Sequence, residues 1–273
     1  MSSESQRIRR QFLPWDRPLL PQAVAFLSEG WPGRAALDLS SLLVLVPTRQ
    51  SGRRLREGLA AAAAARGQAV FPPRVLSLDA LISAEASGTV ASRVESLVAW
   101  TEVFREAELD GLRAVFPVDP PERNFAWALR LARTLAGLQN TLAEVGLSLA
   151  DVPRRVEPTF PELERWRQIA ALGQRQEEKL AARGLRDGQA EKIARARTAE
   201  VPEGVSRIVL IATPDPRPVA LTVLARLAEH VPVDVLIFAP EAEAAAFDAW
   251  GRPRPESWAH RSLQWENFES QVH

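Results

Sequence analysis

The stretch Leu42-Leu43-Val44-Leu45-Val46-Pro47-Thr48-Arg49-Gln50-Ser51-Gly52-Arg53-Arg54-Leu55-Arg56 begins with five consecutive apolar residues and ends with four arginines in eight positions. An apolar run that short, stopped by a proline, has the signature of a strand buried on both faces of a parallel sheet. Pro47-Thr48 then opens a helix expected from about Gln50 to Ala65, with Leu55, Leu59, Ala62 and Ala63 on one side. Strand, turn and helix in this order are half of a βαβ unit.

Working outward, the same grammar repeats. Arg7 to Leu13 reads as a strand, Pro14-Trp15-Asp16-Arg17-Pro18 as a loop, and Leu19 to Leu27 as a helix that tolerates Pro21 in its first turn. Gly30-Trp31-Pro32-Gly33 is a turn, and Val70 to Ser77 is extended and leads into a short helix from Leu78 to Ser83. Near the other end, Val205 to Ile211 and Val233 to Phe238 are strands on either side of a helix from Pro218 to Glu229. The expected fold class is α/β with a parallel sheet.

Between these parts the periodicity is helical throughout. Val94, Leu97, Val98, Thr101 and Phe104 keep helix spacing, and Ala128, Leu131, Leu135, Leu138, Leu142 and Val145 trace the seam of a packed helix. Leu163, Trp166, Ile169 and Gly173 mark a third helix, and Ala190, Ile193 and Ala194 a fourth. The expected organisation is an α/β domain over 1–90 and 201–273, split by a helical insertion over 91–200.

Composition narrows the chemistry. The chain has 273 residues, no Cys, and 34 basic against 34 acidic residues. Without cysteine there is no disulfide framework, thiolate nucleophile or Cys-ligated metal. A net charge of zero argues against a whole-molecule grip on nucleic acid, so any such contact must be local. Residues 1–83 hold 11 basic and 6 acidic residues, against 3 and 6 over 239–273, and the excess falls on the arginine-rich stretch. Of the basic residues only Lys179 and Lys192 are lysines, and arginine is the better phosphate fork. No run of about 18 apolar residues is present and the N-terminus lacks a signal-peptide core, so a cytoplasmic protein without membrane association is expected.

Motifs for nucleotide hydrolysis are missing. A P-loop needs Gly-x4-Gly-Lys-Ser/Thr, and no Gly-Lys pair occurs. In its expected place stands Pro14-Trp15-Asp16-Arg17-Pro18, which removes N–H donors and adds an anion. His230, His260 and His273 have no metal-ligand spacing. Asp215, between two prolines, reads as a turn residue, and Glu241, Glu243 and Asp248 as a solvated helix face. No catalytic residue, metal or cofactor is expected.

The stretch from Pro47 to Arg56 is the most chemical in appearance. It follows a buried strand, so its loop and first helical turn lie at the sheet's carboxyl edge, where N–H groups, a hydroxyl and arginines can hold phosphate. On the residues alone a solvated helix face is the plainer reading of the same stretch.

Val44-Leu-Val-Pro-Thr-Arg49 with Arg53-Arg-Leu-Arg56 resembles the strand, loop and helix of motif Ia in superfamily 1 helicases, in the form found near the N-terminus of AddB-type subunits of bacterial helicase–nucleases. Pro73-Arg-Val-Leu-Ser-Leu-Asp-Ala-Leu81 is similar to the segment that follows it there, and Gly184-Leu-Arg-Asp187, a helix and Ile208-Val-Leu-Ile211 repeat the family's order. The departures share a direction: Ile211-Ala-Thr-Pro-Asp-Pro-Arg217 replaces the Asp-Glu strand end that holds magnesium, and Phe238-Ala-Pro-Glu-Ala-Glu243 replaces the Gly-Asp-x-x-Gln sensor. The resemblance implies a P-loop-helicase-like (RecA-like) domain with a degenerate P-loop. It further implies a non-catalytic module of a DNA double-strand-break repair helicase–nuclease, acting as scaffold and DNA conduit beside an AddA-type partner subunit. Carried over by position, Thr48 and Arg49, with Arg53 one turn along and Ser77 in the next motif, would touch the backbone of single-stranded or duplex-end DNA.

Two other readings stay open. One is an α/β domain binding a small phosphorylated ligand near Thr48 and Ser77, and the other a protein–protein scaffold without DNA contact, for which Trp250, Trp258 and Trp265 could face other domains. The segment from Trp265 to His273 stops without turn, cap or polar tail, and the family resembled continues into further helicase-like and nuclease regions. The chain is therefore expected to be a piece of a longer protein.

Overall fold

The structure is a computed structural model that describes residues 7–82 and 88–259. Expectations resting on His260, Trp265 and His273 lie outside the described residues. In chain order the elements are β1 Ile8–Leu13, α1 Leu19–Leu27, β2 Leu37–Asp38, β3 Leu42–Val46, α2 Arg49–Ala64, β4 Val70–Phe71, β5 Arg74–Ser77 and α3 Leu78–Ile82. There follow α4 Arg93–Glu106, α5 Phe125–Glu144, α6 Val152–Arg155, α7 Leu163–Ala181, α8 Gly188–Arg197, β6 Arg207–Ile211, α9 Pro218–Ala228, β7 Val233–Phe238 and α10 Pro255–Trp258. The chain forms two compact units, one from Met1–Ala80, Val201–Pro216 and Leu227–His273, the other from Leu81–Glu200 and Arg217–Arg226. That division groups residues 81–90 and most of α9 with the helices.

The first unit is α/β, with a five-stranded sheet ordered β1-β7-β6-β3-β5 in which every pairing is parallel. The apolar runs account for the centre: Leu43, Val44 and Leu45 of β3 and Ile208 and Val209 of β6 are fully buried, as strands covered on both faces must be. β1, at one edge, keeps three exposed residues in succession. Helices α1 and α2 pack on one face, where Val24, Leu27, Leu55 and Leu59 join Val44, Val46, Val209, Ile211 and Leu236 in a single core cluster. Gly52 permits that approach, because a Cβ there would stand 2.9 Å from Val75 Cγ1 on β5. The chain leaves β3 towards β5 but leaves β6 towards β7, so the connections diverge at the carboxyl ends of β3 and β6. In open parallel sheets such a divergence is where ligands bind.

A buried charge crosses three strands. Asp234 on β7 is 1% exposed, Arg9 Nε of β1 stands 3.0 Å from its Oδ1, and Arg207 of β6 donates to its Oδ2. The Arg9 contact at Oδ1 is one of charge and not an aligned hydrogen bond. Arg9 and Arg207 keep 52% and 36% of their side chains exposed, so Asp234 is the buried charge of the set and two cations meet it.

Two details of this unit differ from expectation. The extended stretch from Val70 to Ser77 is divided at Pro72-Pro73: β4 pairs with β2 in a separate two-stranded parallel ladder, and only β5 joins the main sheet. Asp248, expected on a helix face with Glu241 and Glu243, instead organises a turn, while the two glutamates lie on a 3₁₀ turn, Glu241–Ala246. Proline breaks the first pattern, and backbone donors that Asp248 can reach override the second.

The second unit is helical, as the periodicity predicts, although the seam is displaced. A capping box of Ser92 and Glu95 starts α4, Asn124 caps α5 and Asp187 caps α8. On α4 the buried face is Trp100, Val103 and Phe104, whereas Val94 and Val98 are 70% and 45% exposed. On α5 it is Ala128, Ala132, Leu135, Gln139 and Ala143, and Val145 is exposed. Large residues on one helix meet small ones on the other: Trp100 and Phe104 stack at 6.0 Å and share a core with Ala128 and Ala132. Of the expected α5 residues, Ala128 and Leu135 lie in this core and Leu131, Leu138 and Leu142 pack partly buried against it, so the spacing picks a stripe that overlaps the buried face.

Candidate functional site

The carboxyl edge of the sheet gathers most of the chemically interesting loops, and the β3–α2 turn is the best defined. Thr48 is extended (φ −139°, ψ 158°) and caps α2, its Oγ1 accepting from Ser51 N at 3.1 Å. The same Oγ1 lies 2.9 Å from Ser51 Oγ. Whichever hydroxyl donates within that pair, the hydrogen of the other remains available for an acceptor outside it. Ser51 is thus a functional candidate that sequence reasoning misses, and the only signal is its spacing of three from a capping threonine.

Arg49 begins α2 and is exposed, with no ion pair or hydrogen bond among the described residues. Arg54 and Arg56 are likewise exposed and unpaired there. Arg53, four residues on from Arg49 and so on the same helix face, is committed to Glu57 at 2.8 Å. Ser77 ends β5 directly opposite Val46 of β3, and its Oγ accepts from Ala80 N at 3.2 Å. The fold therefore brings Thr48, Arg49 and Ser77 to neighbouring strand ends, while Arg53 sits one turn along and is partly neutralised.

The loop after β1 lies along the same edge and is closed. Gln22 Nε2 donates to the carbonyls of Pro14 and Arg17, both at 2.9 Å, and Trp15 Nε1 donates to Phe238 O at 2.6 Å. Helix α1 follows Pro18 with no side-chain cap. Where a phosphate cradle would turn backbone N–H groups towards a ligand, this loop turns carbonyls towards Gln22.

The loop after β6 holds the sole non-glycine residue with positive φ among the described residues, Ala212 at 41°, whose N–H bonds Leu236 O at 2.8 Å. Strain of this kind costs on the order of 1–2 kcal/mol and here falls at the divergence of the sheet's connections. Asp215 beyond it is exposed in the turn. In the turn after the 3₁₀ segment, burial works against ionisation of Asp248, yet hydrogen bonds from Arg252 and Trp250 hold its carboxyl below the usual range. No group of three or more His, Asp or Glu that could hold a metal occurs among the described residues, and none of their helices is long and apolar enough to cross a membrane.

Fold and edge together define a class: a RecA-like α/β unit interrupted by a helical insertion. No protein-family model matches the chain, and no curated protein matches it either.

Proposed function

We propose that the chain is the non-catalytic, helicase-like module of a DNA double-strand-break repair helicase–nuclease, and that it holds single-stranded or duplex-end DNA by its backbone through the β3–α2 turn. An AddA-type partner subunit would supply the motor. One observation carries this reading: at a single sheet edge, the turn bearing Thr48, Ser51 and Arg49, which has no partner among the described residues, stands beside Ser77, while the carbonyls of the loop in the nucleotide-binding position are occupied by Gln22 and its Trp15 is bonded to Phe238. Two hydroxyls and a guanidinium suit phosphate oxygens without reading sequence. The β1 loop offers no comparable set of donors, which is why ATP hydrolysis is assigned to the partner.

The test is binding of a fluorescent single strand by the full chain across a salt series. The parent should bind, with affinity falling steeply as salt rises, and Arg49→Ala with Arg53→Ala should lower the salt slope by about 1.4, the loss of two phosphate contacts to a single strand. Equal affinity and slope in parent and double variant would remove the site, and measurable ATPase activity of the chain alone would remove the non-catalytic assignment.

A further inference from the structure

Elements α5, α6, α7 and α8 of the helical unit line a cleft of about 590 Å³, a volume in the range of binding sites. Gln139 lines it and is itself 7% exposed. Trp100 Nε1, which can only donate, bonds its Oε1 at 3.2 Å and so fixes the orientation of the amide. The NH2 group has no hydrogen-bond partner among the described residues, yet it is not sealed from solvent. An acceptor entering the cleft therefore meets a donor already held in place, with little side-chain freedom left to lose.

Charge is divided along the same cleft. Arg167 and Glu177 both line it from α7, and their positions in the helix place them about 15 Å apart along its axis. Arg154 on α6 is exposed and has no ion-pair partner among the described residues, and Arg167 has a loose one, Glu164 at 3.5 Å. Glu177 has no ion pair there either. Burial in the wall, and after it the Asp187 charge, push its carboxyl above the ordinary value, and no guanidinium offsets the rise. The cleft thus offers cations at one place and a separate anion at another.

That arrangement selects among ligands. A phosphate ester or a nucleic acid carries one sign of charge and would meet the Glu177 carboxylate. The two charges of a free amino acid lie too close together to reach both groups. An extended polypeptide has the matching repeat: at about 3.3 Å per residue, side chains four positions apart share one face and stand about 13 Å from each other. Each of its residues also presents a carbonyl to a donor such as the Gln139 amide. Leu147 and Ile193 supply apolar wall for a side chain between the charges.

We propose that this cleft docks an extended segment of a partner protein, in which an acidic residue meets Arg154 and Arg167, a basic residue four positions away meets Glu177, and a main-chain carbonyl between them accepts from Gln139. Main-chain hydrogen bonds would supply affinity and the charge pair would supply selectivity. The site lies wholly within the helical unit, and it stands or falls separately from the sheet edge.

The immobilised full chain is panned against a phage-displayed library of random dodecapeptides. Acidic and basic residues four positions apart should be enriched several-fold over the starting library. A selected peptide, synthesised and titrated into the full chain, should shift the side-chain amide NMR signal of Gln139 saturably. Glu177→Lys should weaken that peptide about tenfold or more, because like charges then face each other. Its melting temperature should stay near the parent's, since an exposed carboxylate without a partner is replaced. Panning on Glu177→Lys should return acidic residues in place of the basic one, and Arg154→Glu should weaken the parent's peptide as well. Selection without the charge pair, an unmoved Gln139 signal, or undiminished binding by Glu177→Lys overturns the proposal.

Discussion

The loop after β1 and the turn after β3 occupy equivalent places, each joining a parallel strand to a helix at the same sheet edge, yet one is shut and the other open. The difference lies in what each does with its first-turn hydrogen bonds. Before and within α1, Pro18 and Pro21 remove donors, and Gln22 reaches back to occupy the carbonyls. Before α2, a hydroxyl cap satisfies one N–H and leaves a second hydroxyl and a guanidinium facing outward. Topology offers the location, but side chains within about four residues of the helix start determine whether it can receive an anion.

The contrast can be broken at several points. Arg49→Ala should weaken single-strand binding about tenfold at low salt, the worth of one charge-assisted contact. Trp15→Ala, at the closed loop, should change it by less than about twofold, and equal losses in fluorescence anisotropy would show that both loops touch DNA. Next come the internal bonds: Thr48→Ala and Gln22→Ala should each cost about 1 kcal/mol in denaturant unfolding, through a lost cap and lost side-chain bonds. Only the first should also reduce DNA affinity. Ala212→Gly should stabilise by up to about 1 kcal/mol in the same assay, since relief of positive φ exceeds the entropy that glycine adds.

A smaller effect is expected from Glu57→Gln, which releases Arg53 and should tighten DNA binding about two- to threefold, a gain that high salt removes. Asp248→Asn probes the turn that follows the 3₁₀ segment after β7. Its carboxyl is held below the unfolded value, so the stability it contributes is present above the unfolded pKa and is lost as pH falls through the folded one. The variant should melt below the parent near neutral pH, and the two curves should converge in acid.

Much of this architecture is legible in the amino-acid order alone. Leu42 to Val46 and Ile208 to Ile211 are short apolar runs of the kind found in doubly buried strands, and a proline and threonine between an apolar run and a helix place the candidate turn at the carboxyl edge. The hydroxyl and arginines of the stretch from Pro47 to Arg56 can be noticed locally, because strand ends and caps are local features, whereas the choice of Thr48, Arg49, Arg53 and Ser77 as contacts comes from the family resemblance. What escapes is non-local or subtle. Gln22 bonding Pro14 eight residues earlier depends on how the loop folds back. Positive φ at Ala212 leaves no mark in an alanine, and the choice of Trp100 with Ala132 over Val98 with Leu131 depends on how two helices interlock. The ladder of Leu37 with Val70 comprises two residues per strand, too few to show a period.

The clamp on Asp234 has a kinetic side. β1 is among the first segments of the described chain and pairs only with β7, so Arg9 and its carboxylate are separated by 225 positions in sequence. Closing so long a loop is entropically slow, and contacts within the helical segment, most of them near in sequence, form sooner. As the chain emerges during synthesis, β1 must wait without its hydrogen-bonding neighbour until residue 238 is free, and the salt bridge that locks the sheet's edge is among the last interactions to form.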